Sequence, residues 1–428
     1  MRGARYRLAS LTLSAFGLCG LATCVPPPNR DAAQPRTPRA LATSTPEATA
    51  VSVELPARDP LGDLDVDPTS FDFKGHPELV GRIGDSPHAY FRFTQRLFAR
   101  AACKRFESMR ASLPLVRLHG DPHVEQYFVS DIGRGLNDFD DASVGPSVMD
   151  LTRFAASTLL AAKLQGLDDA KTSALLDELF RGYRAGLEGK SLAKTPPAFA
   201  GALAAKFSND KKGFVLYLEN QLENIDDKED SFVREEVKSY AEVVAKREPK
   251  HTASFFQIKK LGRTKLGIGS ALTRKYIVVL EGQSPKDDDD VVVEVKEIAD
   301  LTQIPCVTAI PSGAADARAS MQQSAGNKTL LWPTLLPNGK FWVNEWLTNY
   351  EEARIKKLMP TDLSDLVYEA GLTLAAVHRT PLPDGTVPSS KALDIDASVE
   401  SEVRKVAKDL ADATTKGWER FRREVKGT

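Results

Sequence analysis

Residues 119–126 read His119-Gly120-Asp121-Pro122-His123-Val124-Glu125-Gln126, and twelve residues after Gln126 stands Asp138, with Asp140 and Asp141 close behind. Carboxylates gathered at the ends of short strands suit phosphoryl transfer. That chemistry needs one carboxylate to orient an attacking hydroxyl and oxygen ligands to hold Mg²⁺ on the phosphates. Asp121, Gln126 and Asp138 supply those three. Gly-Asp-Pro and Asn-Asp are also common turn formers, so the segment taken alone reads equally well as a solvated acidic loop.

Working outward, Pro87 to Met109 carries apolar residues at helical spacing and Leu113 to Leu118 reads as a strand entering the loop. Tyr127 to Ser130 is a second strand, and Pro146 to Leu164 an apolar helix. From Asp168 to Arg247 the pattern is amphipathic and charged, which predicts two or three surface helices without chemistry of their own. Strand character follows: a Gly-interrupted run from Leu261 to Ser270, then Tyr276 to Leu280, then Val291 to Lys296. A Gly-rich hairpin ahead of a strand lysine is how kinase-type folds cover and pair phosphates, although Lys296 also fits a solvent-facing edge position. Lys340 to Leu347 reads as a strand, and Ala314 to Ala325, Leu363 to His378 and Ala397 to Arg423 as helices.

The 428 residues carry 57 Lys+Arg against 58 Asp+Glu, a formal charge of −1 that argues against a nucleic-acid binder. With 42% hydrophobic and 27% charged residues, most of the chain can bury a core. Arg2, Arg5 and Arg7 ahead of an apolar run to Cys24 have the layout of a secretory signal. Leu21-Ala22-Thr23-Cys24 resembles a lipoprotein box with Cys24 as the lipidated residue; ordinary cleavage near Ala22 or Cys24 and an uncleaved anchor are the alternatives. The expected location is therefore the bacterial cell envelope, with the membrane as a partner if Cys24 is lipidated. The Pro/Ala/Thr-rich stretch 25–60 reads as a tether. Cys103 and Cys306 permit one disulfide, but two isolated cysteines are more often buried thiols.

The segments HGDPHVEQYF, NDFDDASVGPSVMDLTRFAAS, GIGSALTRKYIVVLEG, VEVKE and LTLAAVHR, in that order, resemble the bacterial family called domain of unknown function 2252 across residues 80–380, and parts are similar to aminoglycoside phosphotransferases. The resemblance implies an α+β, protein-kinase-like two-lobed fold with added surface helices. Its motifs come in circularly permuted order, because the catalytic loop precedes the Gly-rich hairpin and lysine. It implies Asp121 as the base, and Gln126, Asp138 and Asp140 at the metal. Gly267, Gly269 and Lys296 fall at the phosphates, with His119 and Asp150 as structural supports and Arg92 as a phosphate contact. The cofactor would be Mg²⁺ or Mn²⁺ with ATP or another phosphate donor, and the ligand a small molecule or phosphorylated group. The corresponding boundaries are a signal at 1–24, the tether at 25–60, a helical lobe with inserted helices at 61–250, a β lobe at 251–350 and returning helices at 351–428.

Two other function classes remain open. Gln126 stands where the kinase pattern has Asn, Leu272 stands where it has a third glycine, and the helix after Lys296 offers Gln322 and Gln323 rather than a glutamate. Glu297 or Glu345 would have to pair with the lysine instead. Those features, together with the scarcity of ATP outside the cytoplasm, favour a non-catalytic, pseudokinase-like ligand-binding module. Alternatively, His119, Asp121 and His123 with Glu125, Asp138 and Asp140 form a transition-metal centre for hydrolysis. Trp332, Trp342, Trp346 and Trp418 are expected to be packing residues, and Lys286 with the following aspartates a solvated hairpin tip.

Overall fold

The computed structural model describes residues 64–67, 69, 71–251, 253–264, 267–269, 273–284, 286, 288–311 and 315–426. The signal, tether and Cys24 expectations and Leu272 lie outside them. The chain runs through helices α1 (Pro77–Ile83), α2 (Pro87–Phe93) and α3 (Gln95–Arg105). Next come strand β1 (Leu115–Leu118), the hairpin of β2 (Tyr127–Ser130) and β3 (Arg134–Leu136), and β4 (Ser143–Pro146). Five helices follow: α4 (Val148–Leu164), α5 (Asp169–Leu187), α6 (Ala198–Ala204), α7 (Lys211–Gln221) and α8 (Asp227–Arg247). Strands β5 (Ile258–Gly262), β6 (Lys275–Leu280), β7 (Val291–Glu297) and β8 (Thr308–Ala309) precede α9 (Ala315–Ser324). The chain then passes through β9 (Thr334–Leu335), β10 (Phe341–Trp346) and β11 (Tyr350–Glu352). It ends with α10 (Pro360–His378), α11 (Ser390–Leu393) and α12 (Ala397–Lys426).

The fold is mixed α and β, with three small antiparallel sheets among the described residues. The largest has the order β5-β6-β7-β10-β9; the others are β1-β4-β8 and β11-β2-β3. β7 lies inside the large sheet, with Lys296 opposite Lys275 on β6 and Trp342 on β10. The edge position considered for Lys296 is thereby corrected.

Alternation along β6 and β7 divides the sheet into two faces. Tyr276, Val278, Val293 and Val295 pack on one side against Val233, Val237 and Tyr240 of α8. Ile277, Val279 and Val292 pack on the other against Val215 and Leu218 of α7. These two helices were expected as surface helices of the 61–250 lobe. Instead their apolar stripes cover both faces of the sheet, because a sheet that is apolar on both sides needs a cover on each.

A separate and larger core joins α2, α3, α4, α5, α10 and α12 with the small sheets, and Phe91, Phe98, Phe154 and Phe180 lie within it. Full burial of each such side chain contributes roughly 1.5–3 kcal/mol. The helix expected from Pro87 to Met109 is broken at Thr94, whose backbone leaves helical geometry between α2 and α3. Cys103 on α3 and Cys306 before β8 form a disulfide, with Cα atoms 5.6 Å apart and a sequence separation of 203. The buried-thiol expectation is thereby corrected. Among the described residues no helix is long and apolar enough to cross a membrane.

Candidate functional site

The loop between β1 and β2 is held from beneath. Asp150, in the first turn of α4, accepts hydrogen bonds from the backbone N–H groups of His119 (2.7 Å) and Gly120 (3.0 Å). Its Oδ2 also lies 3.0 Å from Nε2 of His378, at the C-terminus of α10, and the other ring nitrogen of His378 meets Tyr183 OH at 2.9 Å. Gly120 adopts a φ of 95°, where an added Cβ would sit 2.1 Å from the Asp141 carbonyl oxygen, so the loop can pass here only as glycine. The buried His119 ring bonds the Asn137 carbonyl oxygen at 2.8 Å and packs on Phe139 with centroids 4.4 Å apart.

These contacts set Asp121 beside Arg153, one helical turn beyond Asp150 on the same face of α4. The guanidinium lies 2.7–2.8 Å from Oδ1. Oδ2 carries no hydrogen bond among the described residues, and the side chain borders a small cleft of about 50 Å³. Burial pushes the Asp121 carboxyl up to about 7; Arg153 opposes the rise, and Asp141 and Asp138 add to it.

After β3 the chain turns sharply at Asp138, whose φ of 65° is left-handed. A non-glycine residue held there costs about 1–3 kcal/mol and persists only where the surroundings enforce it. Here they do so through Lys296, whose ammonium lies 2.9 Å from Asp138 Oδ1 and 2.8 Å from Asp140 Oδ2. Burial alone would raise the Asp138 carboxyl, but the lysine charge holds it well below the usual carboxylate range. Burial and the neighbouring Asp138 push Asp140 up. Arg318 donates to the Phe139 carbonyl oxygen from the other side.

Asp138 and Lys296 line a cleft of about 1030 Å³ between the large sheet and α6–α7. Gly267, Trp342, Trp346 and Tyr217 also line it. Two of the tryptophans expected only to pack therefore border a ligand-sized space. Gly269 lines the small cleft with Asp121, Asp138 and Lys296, and an added Cβ there would meet nothing within 4 Å.

These positions bear on several expected roles. Arg92, the expected phosphate contact, pairs with Glu125 at 3.0 Å and lines the small cleft. Neither glutamate proposed for Lys296 reaches it: Glu297 pairs with Arg274, and Glu345 accepts the backbone N–H groups of Leu330 and Leu331. The hydrolase centre is not assembled. His123 packs edge-on against His88, Glu125 serves Arg92 and the Ile355 N–H, and among the described residues no three His, Cys, Asp or Glu side chains converge to hold a metal.

Gln126 is buried, and its Oε1 has no hydrogen-bond donor. The orphaned amide oxygen of Gln126 and the partly exposed Asp138 carboxylate are each hard oxygen ligands of the kind Mg²⁺ or Mn²⁺ takes, and of the two only Asp138 lines the clefts. Residues that sequence reasoning missed include Arg153, signalled only by its place three residues after Asp150, and Arg318, Tyr350 and Glu352. Tyr350 and Glu352, both on β11, hydrogen-bond to the Asn137 side chain. Nothing local marks those three.

Residues 76–211 and 193–424 match the family described as "Uncharacterized protein conserved in bacteria (DUF2252)". The chain belongs to that family. No curated protein and no solved structure matches it. Both family segments contain parts of the site, since Asp121, Asp138 and Asp150 fall in the first and Lys296 and His378 in the second.

Proposed function

We propose that this DUF2252 family member is a metal-dependent phosphotransferase on a kinase-like, circularly permuted two-lobed fold. Its donor would be ATP or another phosphate compound, and its acceptor a small-molecule or protein hydroxyl. The observation that carries this is the meeting of Lys296, from the middle of a five-stranded sheet, with Asp138 and Asp140 beside an Asp121 whose Oδ2 is left open. The sheet order β5-β6-β7-β10-β9, with α9 between β7 and β9, supports the same reading, as does Asp150 bracing the loop amides. Permutation preserves such contacts wherever the former termini were close.

In this proposal Lys296 pairs donor phosphates and shares its charge with Asp138 and Asp140. Asp121 accepts the hydroxyl proton at Oδ2 while Arg153 fixes Oδ1, and Gly267 and Gly269 let the β5–β6 loop approach the phosphates. Asp138 and Gln126, with Asp140 adjacent, would hold Mg²⁺ or Mn²⁺, whose charge would offset that of the phosphate oxygens. Thermal stabilisation of the purified chain by ATP, GTP and polyphosphate, with and without Mg²⁺ or Mn²⁺, tests the reading. A metal-dependent rise in midpoint that Asp138→Ala abolishes supports it, and the absence of any shift overturns it.

The second reading, a non-catalytic ligand-binding module, draws on Gln126 and on the ion pairs of Lys296, which among the described residues go to Asp138 and Asp140 and not to a glutamate. It expects the same stabilisation with no phosphate transferred. Export to the cell envelope and lipidation at Cys24 belong to the proposal as well. The Cys103–Cys306 disulfide supports an oxidising compartment, and loss of the chain from the membrane fraction on Cys24→Ser checks the anchor.

A further inference from the structure

The small cleft beside Asp121 has a second wall that the phosphotransferase reading does not use. The end of α2 lines it with Arg92, and the first turns of α3 with Arg96 and Arg100, one helical turn apart on the same face of that helix. Arg92 is committed to Glu125 at 3.0 Å, and Arg100 bonds Gln303 at 3.0 Å. Arg96 is different. Among the described residues its half-buried guanidinium makes no hydrogen bond or ion pair, although Asp141 and Asp300 feel its charge.

Two contacts tie this wall to the catalytic loop. Gln95 Nε2 donates to the Gly120 carbonyl oxygen at 3.4 Å, and Arg153, which grips Asp121, donates to the Phe91 carbonyl oxygen at 3.0 Å. The position of Arg96 relative to Asp121 is therefore fixed from both sides. At about 50 Å³ the cleft suits one small group rather than a whole substrate. A guanidinium with no partner, facing a pocket of that size, matches a planar or tetrahedral oxyanion through two parallel N–H···O bonds.

We propose that Arg96 reads an anionic group, phosphate or carboxylate, on the acceptor, so that the substrate of the Asp121 centre is an acidic alcohol. This rests on the phosphotransferase reading for the identity of the acceptor. The arginine itself is a specificity residue on the acceptor side and takes no part in holding the donor.

The test uses three alcohols on one three-carbon skeleton: neutral glycerol and the anions glycerate and glycerol 3-phosphate. The full chain is titrated with each at saturating ADP and Mg²⁺, and the thermal midpoint is followed. At least one anion is expected to bind tenfold or more tightly than glycerol, and which of the two does so separates carboxylate from phosphate. Arg96→Gln removes that increment and keeps the ADP–Mg²⁺ shift, whereas Arg96→Lys restores part of it. Equal binding of all three alcohols overturns the proposal, as does an unchanged increment in Arg96→Gln. Loss of the ADP–Mg²⁺ shift in that variant overturns it too, by assigning Arg96 to the donor. Should ADP–Mg²⁺ produce no shift in the parent chain, the donor reading fails by itself. The anion titration then decides the Arg96 site on the same outcomes without nucleotide.

Discussion

Lys296 and Asp138, 158 residues apart in the chain, meet at 2.9 Å where the large sheet adjoins the acidic turn after β3. Asp140 shares the same ammonium at 2.8 Å. Replacing Lys296 by Met leaves the buried Asp140 carboxylate, with the partly exposed Asp138 beside it, without a counter-charge. The expected loss of stability is about 3–5 kcal/mol, the usual cost of stranding one side of a buried ion pair. Chemical denaturation of Lys296→Met against Lys296→Arg measures it, and Lys296→Arg should retain most of the stability.

Asp150 gathers two backbone N–H groups and the His378 imidazole on one buried carboxylate. Asp150→Ala removes the acceptor shared by the His119 and Gly120 amides and His378 and leaves those donors unpaired, at about 1–3 kcal/mol for each such group. The variant should unfold at a lower denaturant midpoint and lose nucleotide-dependent stabilisation. A variant with an unchanged midpoint would contradict the bracing role.

The Asp121 carboxyl is pushed up to about 7 by burial. A base must be ionised to take a proton, so phosphate transfer should be weak at pH 5.5 and rise through pH 7 as Asp121 deprotonates. Initial rates from pH 5.5 to 8.5 at saturating donor test this. A rate that falls over that interval would rule Asp121 out as the base.

Cys103 and Cys306 close a loop of 203 residues. In the chain-entropy account such a closure stabilises by about 5 kcal/mol. The double variant Cys103→Ser, Cys306→Ser should therefore melt well below the parent, and reducing agent should lower the parent's midpoint toward that of the variant. Equal midpoints with and without reductant would show that the bridge does not form.

Two glycines separate fold from ligand contact. Gly120→Ala drives a Cβ into the Asp141 carbonyl oxygen from a left-handed φ, and the variant is expected to accumulate poorly or melt early. At Gly269 the space is open, so Gly269→Val should fold with an unchanged midpoint while its added side chain narrows the cleft and weakens nucleotide stabilisation. Paired melting curves with and without ATP and Mg²⁺ distinguish the two positions.

How much of this was legible in the chain depended on distance. The loop at 119–126 and the acidic turn at 138–141 are local, and turn chemistry with strand ends marks them in the sequence. The alternation in Val291 to Glu297 separates the face of Lys296 from that of Val291, Val293 and Val295. It cannot say that a second helix covers the lysine's side of the sheet, and so it left an edge position open. The partners of Lys296 were sought among nearby glutamates, whereas tertiary folding delivered aspartates from 158 residues upstream. Likewise, nothing in two isolated cysteines announces a contact across 203 residues. Arg96 and Arg153 read as ordinary helix arginines until the folded chain shows one with no partner and the other on Asp121.

The wrapping of the sheet by α7 and α8 sets a limit on how the molecule can be cut. Residues 251–350 contain every strand of the sheet but neither of its covers, so a fragment beginning at 251 would expose Val278, Val293 and Val295 on one side and Ile277, Val279 and Val292 on the other. Such a piece is expected to aggregate through those bare surfaces. An excised version that stays in solution has to begin before Lys211, carrying both helices with the strands they shield.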